Sequence, residues 1–233
     1  MKCVAATVLG LLSVIWPLAA FAGENSRPVA SVENEGAFLY LGGKNEFFLK
    51  YHGATATFSW DYDAHSGRPP QMKVFDYDGD GEKEAAVSLC VGTGTGLSLE
   101  ELHVVKFNGE KLTAHTYRTD DYLRQVKESV GLKISEENGG LSATFSSPPD
   151  SIRIDLSGYL SEDSPKPADM KLECGDVIYF SLGDSGLIEF KAALGLKVDN
   201  PFSPDYFVDL TAGVRFNDGV FSLADFKIVK GDD

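Results

Sequence analysis

From Gly36 to Val229 the chain is cut by turn-forming residues into short apolar or alternating runs, and this spacing limits it to antiparallel β-structure. Gly42-Gly43, Gly53, Asn108-Gly109, Asn138-Gly139-Gly140, Gly183–Gly186 and Asn217-Asp218-Gly219 all fall between such runs. Glycine reaches the left-handed backbone of tight turns without steric cost, and asparagine tolerates it. Ala85–Val91 is almost continuously apolar and predicts a strand central in its sheet. Ile188, Phe190, Ala192, Leu194, Leu196 and Val198 alternate with their neighbours and predict one buried face. Leu99–Phe107 and Lys111–Tyr117 pair across Asn108-Gly109, the signature of a type I′ hairpin. Thr119–Val130 is the exception. Tyr122, Leu123, Val126 and Val130 share a helical face, Thr119 or Asp120 can cap it, and Gly131 can end it. About fourteen strands and one short helix give a mainly β protein of antiparallel sheets.

Residues 1–22 combine Lys2, an apolar run and Ala20-Phe21-Ala22, which reads as a secretory signal peptide cut after Ala22. The expected location is therefore exported, either periplasmic or extracellular. Residues 23–35 read as a flexible polar leader, and 36–233 as a β-rich domain. The polar stretch 157–171, with Pro165 and Pro167, is either a long surface loop or a join between two sub-domains. No later run reaches membrane length, so no membrane insertion of the mature chain is expected. The full chain carries −14, and loss of Lys2 with the signal takes this to −15. That charge argues against nucleic acid and anionic membrane as partners and favours cations. Cys3 lies inside the signal. Cys90 and Cys174 can form a disulfide after export, or remain two buried thiols.

The chemistry concentrates in Asp76-Tyr77-Asp78-Gly79-Asp80-Gly81-Glu82-Lys83-Glu84. Alternate carboxylates turn towards one centre when such a loop curls, and Gly79 and Gly81 permit the curl. Hard, charged oxygen ligands suit Ca²⁺. Asp76, Asp78 and Asp80 are the expected side-chain ligands, the Glu82 carbonyl a fourth, and Glu84 the closing carboxylate. An EF-hand would need a glutamate at position 12, where Val87 stands. The competing reading is a solvated acidic turn, which leaves four like charges unrelieved.

This pattern resembles the calcium loops of FG-GAP and VCBS-type repeats, Asp-x-Asp-Gly-Asp-Gly-x-x-Asp/Glu, matched by Asp76, Asp78, Gly79, Asp80, Gly81 and Glu84. There the loop joins two strands of a propeller blade. The resemblance covers residues 72–117 and implies a four-stranded unit of Met72–Phe75, Ala85–Val91, Leu99–Phe107 and Lys111–Tyr117. A closed propeller takes several blades, and this chain has one such loop. The chain is also similar to secreted bacterial proteins of unassigned role that follow a single loop with stretches like Gly92–Gly96 and Glu100–Val104.

Other constellations are weaker. Gly92-Thr93-Gly94-Thr95-Gly96 lacks the Lys-Ser/Thr of a phosphate loop and reads as a bulged or tight β connection near the metal. Gly183-Asp184-Ser185-Gly186, with His115, resembles the nucleophile and histidine segments of chymotrypsin-like serine proteases. Leu187 stands where that motif needs a second glycine, and only 69 residues separate His115 from Ser185. Asp61, Asp63 and His65 could hold a metal, but in a Pro-rich loop they read as solvated, and Glu101 and His103 read as an exposed strand face. Phe47, Phe48, Tyr51, Phe58 and Trp60 form either a sugar-binding face or, more commonly, sheet core. The expectation is an exported calcium-binding β-protein, a non-catalytic binding or interaction module with an unknown protein or carbohydrate partner. The alternative is a secreted hydrolase built on the Gly183–Gly186 segment and His115.

Overall fold

The computed structural model describes residues 27–137, 139–160, 164–198 and 204–231. The signal-peptide reading of 1–22 lies outside them. The described chain is mainly β, in antiparallel sheets with one α-helix.

The first sheet is a four-stranded meander of β1 (Ala30–Val32), β2 (Ala37–Leu41), β3 (Glu46–Tyr51) and β4 (Ala54–Ser59). The leader expectation fails at β1, where Ala30 pairs with Leu39 and Val32 with Ala37. Its polar neighbours hid a three-residue strand too short to show a period. The second sheet is the four-stranded unit expected around 72–117: β5 (Gln71–Phe75), β6 (Glu84–Gly94), β7 (Leu97–Phe107) and β8 (Leu112–Tyr117), also in chain order. Helix α1 (Thr119–Ser129) leads to a three-stranded sheet of β9 (Gly131–Glu137), β10 (Gly140–Ser147) and β11 (Asp150–Asp155). The last sheet holds β12 (Leu172–Cys174), β13 (Tyr179–Leu182), β14 (Ile188–Leu196), β15 (Asp205–Asn217) and β16 (Val220–Lys230).

The second sheet divides the interior into two cores. Ala85, Val87 and Leu89 of β6 pack with Leu39, Phe47, Leu49, Tyr51 and Trp60 against the first sheet. Ala86 of β6, with Leu102 and Val104 of β7, faces the larger core of α1 and the last two sheets. β6 is thus buried on both faces from Glu84 to Cys90, and it is central in its sheet, between β5 and β7, as its apolar run predicts. Leu156, just before the polar stretch 157–171, and Met170, near its end, belong to the same core. Phe47, Tyr51 and Trp60 are buried, which makes those aromatics sheet core.

Local chemistry departs from expectation in two turns. Phe107 pairs with Leu112, so the β7–β8 connection has four residues instead of a two-residue type I′ turn. The Asn108 side chain builds it, accepting from the amides of Glu110 at 3.2 Å and Lys111 at 2.9 Å. At α1 the N-cap is Arg118 and makes no side-chain capping bond; Tyr122 instead ties the first turn down, its hydroxyl donating to the Glu100 carbonyl at 3.0 Å.

One buried carboxylate joins three elements. Glu100 accepts from Ser88 Oγ of β6 at 2.8 Å and from the Phe180 amide of β13 at 2.8 Å, and pairs with Arg68 at 2.5 Å. Arg68 comes from the Pro-rich loop before β5, donates to Ser98 Oγ at 2.6 Å and lies over the Tyr179 ring at 4.3 Å. Cys90 and Cys174 are free thiols, so they form no disulfide; Cys90 is buried as expected of a free thiol, whereas Cys174 is half-buried.

Candidate metal centre

The acidic loop joins β5 to β6. It curls at Gly79 and Gly81, with φ of 75° and 93°. No atom lies within 4 Å of a Cβ placed at either, so backbone conformation alone calls for glycine. Asp76 organises the curl. Its Oδ1 accepts the Gly79 amide at 2.7 Å and its Oδ2 the Gly81 amide at 3.0 Å. Asp78 Oδ1 accepts the Asp80 amide at 3.3 Å, and Asp80 Oδ1 the Glu82 amide at 2.8 Å. Glu84 opens β6 and reaches back, its Oε2 accepting the Tyr77 amide at 2.8 Å. The exit of the loop is fastened to the first sheet. Tyr51 donates to the Lys83 carbonyl at 2.8 Å, and Lys83 pairs with Glu35 at 2.7 Å.

Asp76, Asp78 and Glu84 each offer a carboxylate oxygen within 4.8 Å of the others. Oxygens sharing one Ca²⁺ at about 2.3–2.6 Å stand no more than about 5 Å apart, so this group has the size of a single coordination sphere. Glu84 is 1% exposed, and its Oε1 has no hydrogen-bond partner. A buried carboxylate oxygen left in this way is costly, and a cation would relieve it. Burial pushes the Glu84 carboxyl up to about 7, opposed by its bond from the Tyr77 amide and reinforced by the charge of Asp78.

A residue that sequence reasoning missed completes the site. The Lys106 ammonium, on β7, bonds Asp78, bonds Asp80 Oδ2 at 2.9 Å, and stands 3.7 Å from Glu84 Oε1. These partners hold the lysine pKa above its usual range, and the lysine in turn lowers that of Asp80. Of the five expected ligands, then, the structure groups Asp76, Asp78 and Glu84. Asp80 joins them through Lys106, and Glu82 donates its backbone amide to Asp80 Oδ1. The signal for Lys106 lies in strand register. Ala85 pairs with Val105, and continuing that register sets Lys106 opposite Glu84.

The remaining candidates disperse. Gly92–Gly96 lies at the far end of β6 from Glu84, about 30 Å away at strand rise, so it is not near the acidic loop. It is bulged as expected, with the register shift between Cys90 and Gly92. Asp63 is occupied by the His65 amide at 3.0 Å and Thr93 Oγ1 at 2.5 Å, pinning its loop to that bulged end. Glu101 and His103 are buried, contrary to the exposed-face reading. The His103 ring stacks on Trp60 at 4.3 Å, and its Nδ1 lies 3.0 Å from Thr116 Oγ1. Ser185 sits in the β13–β14 turn, where the Gly183 amide donates to the Leu187 carbonyl and Asp184 pairs with Lys73 of β5. His115 stands on β8, beside the Phe216 ring at 5.5 Å. β5 and β8 are opposite edges of one sheet, about 14 Å apart across three strand spacings, which is beyond hydrogen-bond reach for a nucleophile and base. Comparison with protein-family models, curated proteins and solved structures finds no match to this chain.

Proposed function

We propose that this chain is an exported calcium-binding β-protein that serves as a non-catalytic binding or interaction module, with a protein or carbohydrate as its partner. One observation carries the calcium reading: three carboxylate oxygens from Asp76, Asp78 and Glu84 lie within 4.8 Å, and Glu84 Oε1 is buried without a hydrogen bond. The resemblance of the loop to FG-GAP and VCBS-type calcium loops supports the choice of ion, and the signal-like residues 1–22 support export, where millimolar Ca²⁺ can fill even a modest site. In this reading the ion braces the β5–β6 connection, and through Tyr51 and Lys83 it braces the first sheet as well.

The experiment is thermal melting of the mature protein in chelator and in Ca²⁺, with calorimetric titration. An ion that binds only the folded form stabilises it by about 2.7 kcal/mol when free ion is 100 times its dissociation constant. The melting temperature should fall in chelator and recover with Ca²⁺. Asp78→Ala should abolish the recovery. Asp63→Ala, which loosens a separate loop at His65 and Thr93, should keep it. A melting curve indifferent to chelator and Ca²⁺, with no heat of binding, would reduce the loop to an acidic turn.

A further inference from the structure

We propose that Lys106 is the resident counter-ion of the acidic loop and is exchanged for the divalent cation, so that this one side chain sets the affinity of the site. The inference rests on the calcium reading above and goes beyond it. Lys106 Nζ bonds Asp78 and Asp80 and lies 3.7 Å from Glu84 Oε1, so it stands among the oxygens that would bind the ion. An ammonium and a Ca²⁺ cannot share that volume. Nor does the lysine satisfy the site: Asp78, Asp80 and Glu84 share a single positive charge, and Glu84 Oε1 is left without a hydrogen bond. A cation at about 2.4 Å would bind that oxygen directly.

The exchange needs no refolding of the loop. Both Asp76 oxygens are held by the Gly79 and Gly81 amides, and Glu84 Oε2 by the Tyr77 amide, so the curl is fixed independently of Lys106. The lysine side chain is 26% exposed and has a flexible four-carbon stem, so it can swing into water from the end of β7. The device also selects by charge. A monovalent ion offers the carboxylates no more charge than the ammonium it would displace, whereas a divalent ion doubles it. The loop should therefore respond to Ca²⁺ against a background of Na⁺ or K⁺.

The test compares Ca²⁺ titrations of the mature wild type, Lys106→Met and Lys106→Arg, each by calorimetry. Lys106→Met keeps most of the stem and removes the charge, and it should bind Ca²⁺ at least about tenfold more tightly. Lys106→Arg keeps a competing cation and should remain weak. A second readout uses the wild type alone. Acylation of lysines, read by peptide mass spectrometry, should be faster at Lys106 in Ca²⁺ than in chelator, because the ion frees the amine. Equal or weaker binding by Lys106→Met, or Lys106 acylation unchanged by bound Ca²⁺, would overturn the exchange while leaving calcium binding intact. Binding by Lys106→Met but not by the wild type would make the lysine a permanent occupant and overturn both. Binding by neither would overturn the calcium reading itself.

Discussion

Arg68→Met should cost about 3 kcal/mol of folding stability, because it strands a carboxylate at the junction of three elements. The Glu100 side chain is 4% exposed and accepts from Ser88 Oγ, the Phe180 amide and Arg68. Removing one partner of a buried pair typically costs 3–5 kcal/mol. Arg68 is 30% exposed, so water can enter beside Glu100 and hold the loss near the lower end of that range. Methionine fills the space of the arginine stem, so lost packing contributes little. Glu100→Gln should cost less, about 1–2 kcal/mol, since its side-chain oxygen can still accept from Ser88 and Phe180. The double variant should then be more stable than Arg68→Met alone, with a coupling of roughly 2 kcal/mol. Urea unfolding in saturating Ca²⁺ measures all four proteins, and the midpoint should move without a change in slope. An Arg68→Met cost below about 1 kcal/mol, or costs that simply add in the double variant, would show that solvent already screens the pair.

Two further outcomes follow from titratable groups shifted by burial. Burial, with Arg118 adding to it, holds the His103 imidazole down at about 3, from an ordinary value of 6.5. The unfolded chain therefore takes the proton first, and stability falls as pH drops from 6.5 towards 3, by up to about 1.4 kcal/mol per pH unit. His103→Phe, which keeps a ring against Trp60, should lose about 2 kcal/mol less than wild type between pH 7 and pH 5 in urea unfolding. An identical loss in both proteins would refute a neutral buried histidine. Burial pushes the Cys174 thiol up to about 12, so at pH 7.5 it should resist a thiolate-directed reagent in the native protein. Both Cys90 and Cys174 should label once the chain is unfolded without reductant; protection there would mean a disulfide that the free thiols of this structure exclude.

What is local was legible in the order of residues. Alternation and turn residues specified antiparallel sheets, and a continuous apolar run marked β6 as central, because side-chain period and turn chemistry act over a few residues. The spacing of Asp76, Asp78 and Glu84 marked the acidic loop for the same reason, since one curl of nine residues brings them together. What meets across strands was not legible, because it depends on how the sheets register and close. The bulge between Cys90 and Gly92 shifts the β6–β7 register by one residue. Counting straight back from Gly94 and Leu97 would set Lys106 opposite Ala85, on the other face of the sheet from Glu84. The bulge places it opposite Glu84, because a one-residue slip reverses every side chain. The same slip pairs Glu100 with Cys90 and turns it towards Ser88, while Arg68 and Phe180 reach it from 32 residues before and 80 after. Neither the lysine in the loop nor the buried carboxylate has a local signature, since each depends on a register and on contacts that form only when the sheets close.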